Sequence, residues 1–227
     1  MILFGVSNCN WFVLATGWCY YESYYEAKTK ALALRQKRHV VAAGRVSAAV
    51  LLSIYYKQGQ YYILFTKRTE RVKEHKGQIC FPGGACQEGN GTLVNTVLRE
   101  CAEEIGLMAD EVEVLGELDD ILTGTSGYIV SPFVGFIPWP HALKVDQWEA
   151  EEIIEIPISA LLDKGCLREE TEIIDGKAIA LYFYHYQGRV IWGVTARILN
   201  QFLDIFARVM GGVNTRLRLK MPYRCSW

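Results

Sequence analysis

The stretch TLVNTVLRECAEEI, residues 92 to 105, constrains this chain more than any other segment. Val94, Val97, Leu98, Cys101 and Ile105 recur at helical spacing, so at about 100° per residue they share an arc of the wheel and face a core. Glu100, Glu103 and Glu104 are expected on a different arc. Their i, i+3, i+4 spacing sets the carboxylates side by side within about one turn, where like charges cost roughly 0.2–0.5 kcal/mol per pair. Arg99 reaches Glu103 at i+4, but one guanidinium does not neutralise the cluster, and the remaining charge suits a hard divalent cation with oxygen ligands. The plain alternative is a solvated acidic face. The preceding residues argue against it, because the paired glycines of Phe81-Pro82-Gly83-Gly84 let backbone turn tightly and approach a metal–phosphate assembly. Gly106 then ends the helix as a C′ residue.

Strand and helix patterns mix around this helix without a regular βαβ period. VSAAVLLSIYY (46–56) and YYILFTKR (61–68) flank the turn signal KQGQ and predict a hairpin. Strands follow near 112–118 and 128–137, the second interrupted by Pro132, which favours an edge or a bulge. IIEIPI leads into a short helix at Ser159 to Asp163, ALYFYHYQ is a further strand, and TARILNQFLDIFARVM is a closing helix. The fold class expected is α+β, a mixed sheet sandwiched between helices. Residues 22–38 read as a polar helix opening a domain that runs to 206.

Two segments lie outside that domain. Residues 1–21 are apolar but carry no positive n-region and no clear cleavage site, so a packed or interface-forming extension is expected, with a membrane anchor as the alternative. Residues 207–227 hold Arg208, Arg216, Arg218, Lys220 and Arg224 and no acid, and read as a solvated basic tail.

A formal net charge of -1 and a pI near 6.4 argue against nucleic acid or an anionic membrane as the main partner, so any polyanion site must be local. One candidate is the segment from Thr66 to Lys76, where five Lys or Arg stand against two Glu just before the glycine turn. Seven cysteines with no CxxC pair argue against a disulfide framework and a zinc site, and point to a reducing, cytoplasmic setting. His39, His141 and His185 show no ligand or triad spacing, and Trp139, Trp148 and Trp192 are expected in packing or at a rim.

Gly84 to Leu107 resembles the Nudix box, G-x5-E-x7-R-E-U-x-E-E-x-G-U with U aliphatic. Arg99-Glu100-Cys101-Ala102-Glu103-Glu104-Ile105-Gly106-Leu107 matches its second half, with Cys101 in place of an aliphatic. The first half departs: Gly84 to Arg99 spans 15 residues where the general box has 14, and no Glu stands at mid-box, the local acid being Glu88. That lengthening is similar to the coenzyme A diphosphatase branch, which also carries L-L-T-x-R-S-x3-R-x3-G-x3-F-P-G-G upstream. Here Leu64-Phe65-Thr66-Lys67-Arg68-Thr69, Lys73, Gly77 and Phe81-Pro82-Gly83-Gly84 keep the spacing, with Phe65, Thr69 and Lys73 replacing Leu, Ser and Arg.

The resemblance implies hydrolysis of a pyrophosphate bond, with Mg²⁺, or Mn²⁺ in its place, held by Glu100, Glu103, Glu104 and the Gly83 carbonyl, and with Arg99 orienting the carboxylates. It implies a small nucleotide-type substrate, coenzyme A or acyl-coenzyme A, met by Arg68, Lys73, Gly77, Phe81 and Gly84. The general base stays open among Glu100, Glu103 and a later acid, of which Glu149 aligns best. Other nucleoside diphosphate derivatives, a catalytically silent nucleotide-binding domain, and a homodimer also stay open.

Overall fold

The computed structural model describes residue 32 and residues 35–72, 75–86, 91–124, 126–174 and 176–220. The apolar extension 1–21, most of the helix expected over 22–38, Lys73 and Glu88 therefore lie outside the described residues. Strands β1 (Val46–Lys57) and β2 (Gln60–Arg68) form the expected hairpin, with Lys57 opposite Gln60 across a Gln58-Gly59 turn. They join β3 (Ile79–Cys80), β4 (Gly83–Ala85), β5 (Glu113–Glu117), β6 (Ile121–Leu122), β7 (Tyr128–Phe136) and β8 (Ala150–Pro157) in one mixed sheet. Its path is β3-β2-β1-β7-β5, with β1 parallel to β7, while β4 pairs with β1, β6 with β7 and β8 with β2. A smaller antiparallel sheet contains β9 (Leu167–Ile174), β10 (Lys177–Tyr186) and β11 (Arg189–Ile191).

Helices cover both faces of the main sheet, as the α+β reading expects. Alternate residues of a strand point to opposite faces, and β1 uses this to feed two cores. Ala49, Leu51 and Tyr55 pack with Val97, Cys101 and Ile105 of α1 (Leu93–Ile105). Leu52 and Ile54 pack in a second cluster with Leu199, Phe202 and Phe206 of α3 (Gly193–Lys220), which α2 (Ile158–Leu161) also joins through Ile158 and Leu161. Among the described residues no helix is long and apolar enough to cross a membrane.

Three expectations need correction. Pro132 is not at an edge: β7 is interior, and the proline stands where its neighbour changes from β5 to β6. There it pairs with Val50 of parallel β1, and its carbonyl accepts from the Leu118 N–H. Arg35 to Arg38 are not helical. Their charges are spent on an acidic patch instead, with Arg35 paired to Asp119 and Lys37 Nζ 2.6 Å from Glu117 and 2.8 Å from Asp120. The closing helix does not stop near Met210 but continues to Lys220, so the front of the basic tail is helical.

Candidate active site

Helix α1 is bounded by its own sequence. Thr92 caps it by accepting the Asn95 N–H on Oγ1 at 3.3 Å, and Gly106 ends it in the left-handed region at φ 69°, its N–H donating to Ala102. The two glycines of β4 leave room on different sides, Gly83 for β1 and Gly84 for the helix. A β-carbon on Gly83 would sit 2.2 Å from the Ala49 carbonyl oxygen, and one on Gly84 would sit 2.6 Å from the Glu100 carboxyl.

The three glutamates are not equivalent. Glu103 is exposed, and Arg99 bridges it at 2.5 Å while also pairing with Glu100. Glu104 is only 5% exposed, on the buried side of the helix with Val97 and Cys101. Burial pushes its carboxyl up to about 8, with the charges of Glu149 and Glu100 adding to the effect, while Arg68 and the Gly83 backbone N–H pull the other way. Among the described residues no side chain makes an ion pair with it.

These contacts bring Arg68, Gly83, Gly84, Glu100, Glu104 and Glu149 to one place. Arg68 ends β2, its N–H donates to the Gln78 carbonyl, and its Nε is buried without a hydrogen-bond partner among the described residues. Gly77 sits in the turn that leads to β3. Phe81 is placed inside the core, 3% exposed and stacked on Phe65 at 4.9 Å, where it supports the glycine turn from below.

Glu149 reaches the site through a chain of backbone bonds that the sequence does not display. The Asp146 N–H donates to the Glu104 carbonyl at 2.8 Å, tying the loop to the end of α1. The Glu149 N–H donates to the Asp146 carbonyl, and the Glu149 carbonyl accepts from the Thr69 N–H at 3.0 Å. Thr69 is buried and adds a second link, its Oγ1 donating to the Trp148 carbonyl at 2.8 Å. Its signal in the sequence is the hydroxyl that it shares with the Ser of the upstream motif.

A divalent cation fits this donor set in chemistry. The ligand atoms are hard carboxylate oxygens, and the buried Glu104 carboxyl has no ion-pair partner among the described residues. The carboxylates are not gathered as a finished cage, since among the described residues no three acidic, His or Cys side chains stand close enough to hold an ion as they are. A surface depression of about 290 Å³ lies elsewhere, lined by Asp110, Glu111, Val112, Glu113, Phe136 and Pro138. It shares no lining residue with the glycine turn or with α1.

Comparison with known proteins agrees with this geometry. The NUDIX domain family model matches residues 44–165. The uncharacterized Nudix hydrolase NudL of Photorhabdus laumondii is 36% identical over 154 residues, which span 68% of this chain and 81% of that protein. The protein of the same name from Yersinia pestis is 33% identical over 161 residues, 71% and 80% of the two chains. A crystal structure of a MutT/nudix family protein from Enterococcus faecalis, 14% identical, matches with a TM-score of 0.50 over 89% of this chain and 73% of that one, a likeness of fold alone. The glycine turn, the acid-bearing helix and these matches make the chain a member of the Nudix hydrolase family, whose enzymes cut pyrophosphate bonds of nucleotide derivatives.

Proposed function

We propose that the chain hydrolyses the pyrophosphate bond of coenzyme A or its acyl derivatives, releasing 3′,5′-ADP and 4′-phosphopantetheine or the acyl form. The observation that carries the reading is the intact spacing from Leu64 to Gly84 joined to the 15-residue interval from Gly84 to Arg99. The position of Arg68 supports it, since its charge acts on Glu104 and its buried Nε makes no hydrogen bond among the described residues.

Glu100, Glu103, Glu104 and the Gly83 carbonyl would hold Mg²⁺ or Mn²⁺, which when bound offsets the charge that develops on the phosphate oxygens. Arg99 holds Glu100 and Glu103 until they are needed as ligands. Glu149 is the better placed base, because it lies within charge range of Glu104 and makes no ion pair among the described residues, whereas Glu103 is exposed and bridged. Its carboxylate would take the proton from a water whose oxygen bonds to phosphorus as the bridging P–O bond breaks. Arg68 at the end of β2, with Lys73 and Gly77 in the loop after it, would orient the anion.

The test is a substrate panel with Mg²⁺ and product identification. Coenzyme A should give 3′,5′-ADP, and dephospho-coenzyme A should be the poorer substrate by about 1.5–3 kcal/mol if the basic loop reads the 3′-phosphate. Lys73→Arg should raise the rate, since a planar fork holds phosphate in two bonds where an ammonium acts as a point charge. Brisk hydrolysis of ADP-ribose, a nucleoside triphosphate or a dinucleoside polyphosphate with none of coenzyme A would assign the site to that substrate instead. Lys73 in place of Arg is the feature that favours this second reading.

A further inference from the structure

Trp148 directly precedes Glu149, whose charge acts on Glu104, and its setting is unusual for an exposed aromatic. Its backbone is fixed from both sides. The N–H donates to Asp146 Oδ1 at 3.0 Å, and the carbonyl accepts the Thr69 hydroxyl at 2.8 Å. The same hydroxyl accepts the Arg71 N–H at 3.3 Å, so one buried oxygen joins the two segments that carry Trp148 and Arg71. The Arg71 guanidinium lies 5.8 Å from the Trp148 ring centroid. With that contact made, Trp148 is still 66% exposed.

A large indole left in water gives up the stabilisation of burial. Trp139 shows the alternative in the same loop: it stacks on Tyr55 at 5.4 Å and lies under Lys57 Nζ at 4.2 Å. Trp148 has no ring partner among the described residues, only the guanidinium. Its backbone is nonetheless anchored to the end of α1 through Asp146 and to the end of β2 through Thr69, the two elements that supply Glu104 and Arg68.

We propose that Trp148 and Arg71 form a stacking platform for the nucleobase of the substrate. An indole face beside a guanidinium suits a flat, neutral aromatic ring, and base–aromatic stacking tolerates any base. The guanidinium adds positive charge beside the ring, which suits a ligand that also carries phosphates. A rigid backbone lowers the entropic cost of presenting the ring. The platform rests on the reading that Arg68 and Glu149 flank the bound nucleotide, and not on coenzyme A being the substrate, because other purine nucleotides offer the same ring.

Calorimetry on the full chain with Mg²⁺ tests it, using adenosine 3′,5′-bisphosphate, which has a base and no pyrophosphate to cut, and methylene bisphosphonate, which has no base. Trp148→Ala should weaken the nucleotide about tenfold or more, Trp148→Phe should stay within about threefold of the parent because it keeps an aromatic face, and the bisphosphonate should bind all three alike. Three outcomes overturn the platform: unchanged nucleotide affinity in Trp148→Ala, equal loss of both ligands, or a parent protein that binds the nucleotide no better than the bisphosphonate. Neither ligand is cleaved, so a failure to hydrolyse coenzyme A with the stacking increment intact would remove only the substrate reading.

Discussion

Gly84 and Glu100 are in such close contact that a β-carbon on the glycine would lie 2.6 Å from the glutamate carboxyl carbon. The carboxylate thus rests against bare backbone of β4. Gly84→Ala should push it aside while the strand pairing of β4 with β1 survives. A misplacement of this kind at a reacting centre costs up to about 10² in rate. Turnover should fall by that order with the circular dichroism spectrum unchanged, and near-parent turnover would show that Glu100 is not needed where it sits.

Glu104→Gln should separate activity from stability. Loss of one negative ligand is expected to lower turnover by about 10² or more, and excess chelator should abolish activity in the parent, with Mg²⁺ or Mn²⁺ restoring it. Glutamine fills the same volume without a charge to bury. In chelator at pH 9 the variant should therefore be the more stable protein by something on the order of 1–3 kcal/mol, read from thermal melts of the two proteins side by side.

Thr69 should behave as a positioning residue for the Glu149 loop. Thr69→Val keeps the shape and removes the hydroxyl, leaving the Trp148 carbonyl without its donor at a cost of about 1–3 kcal/mol. The expected kinetic signature is a kcat reduced by about tenfold, with Thr69→Ser, which matches the motif, recovering most of it. Equal kcat in the parent and the valine variant would contradict this role.

Acid stability should depend on Asp120. Burial alone would raise its carboxyl, but the Lys37 ammonium, the Ser131 hydroxyl at 2.6 Å and the Val40 N–H at 3.1 Å outweigh burial and hold it below the ordinary value. A carboxyl depressed in the folded state stabilises it above the unfolded value of about 3.9, and that contribution is lost as pH falls through the lower folded value. Asp120→Asn should thus melt below the parent at pH 7, with the gap closing only as pH falls from about 3.9 through the depressed folded value, as followed by melting temperature against pH.

Much of this was legible in the sequence because local chemistry decided it. The hairpin followed from KQGQ between apolar runs, and the helix ends followed from Thr92 and Gly106. The ranking of the glutamates was present but unread: seven residues separate Val97 from Glu104, so at about 100° per residue the two lie only about 20° apart on the wheel, and Glu104 is buried accordingly. Other features depended on partners distant in the chain. Arg35 to Arg38 have good helix propensity, yet tertiary pairing with Glu117, Asp119 and Asp120 overrides it. Pro132 looked like an edge residue because the break between β5 and β6 that accommodates it cannot be seen from within β7. The link from Thr69 to Trp148 joins residues 79 apart in sequence and has no local pattern at all.

The loop that leads to Glu149 closes the end of α1, with the Lys144 N–H on the Ile105 carbonyl and the Asp146 N–H on the Glu104 carbonyl. That makes the segment from Lys144 to Glu149 a spacer of fixed length between the helix terminus and the site. An insertion there would release two carbonyls that otherwise have no donor, whereas lengthening before Leu143 leaves the spacing untouched. Attempts to retune specificity by loop exchange should accordingly vary residues 138–143 and leave the spacer as it is.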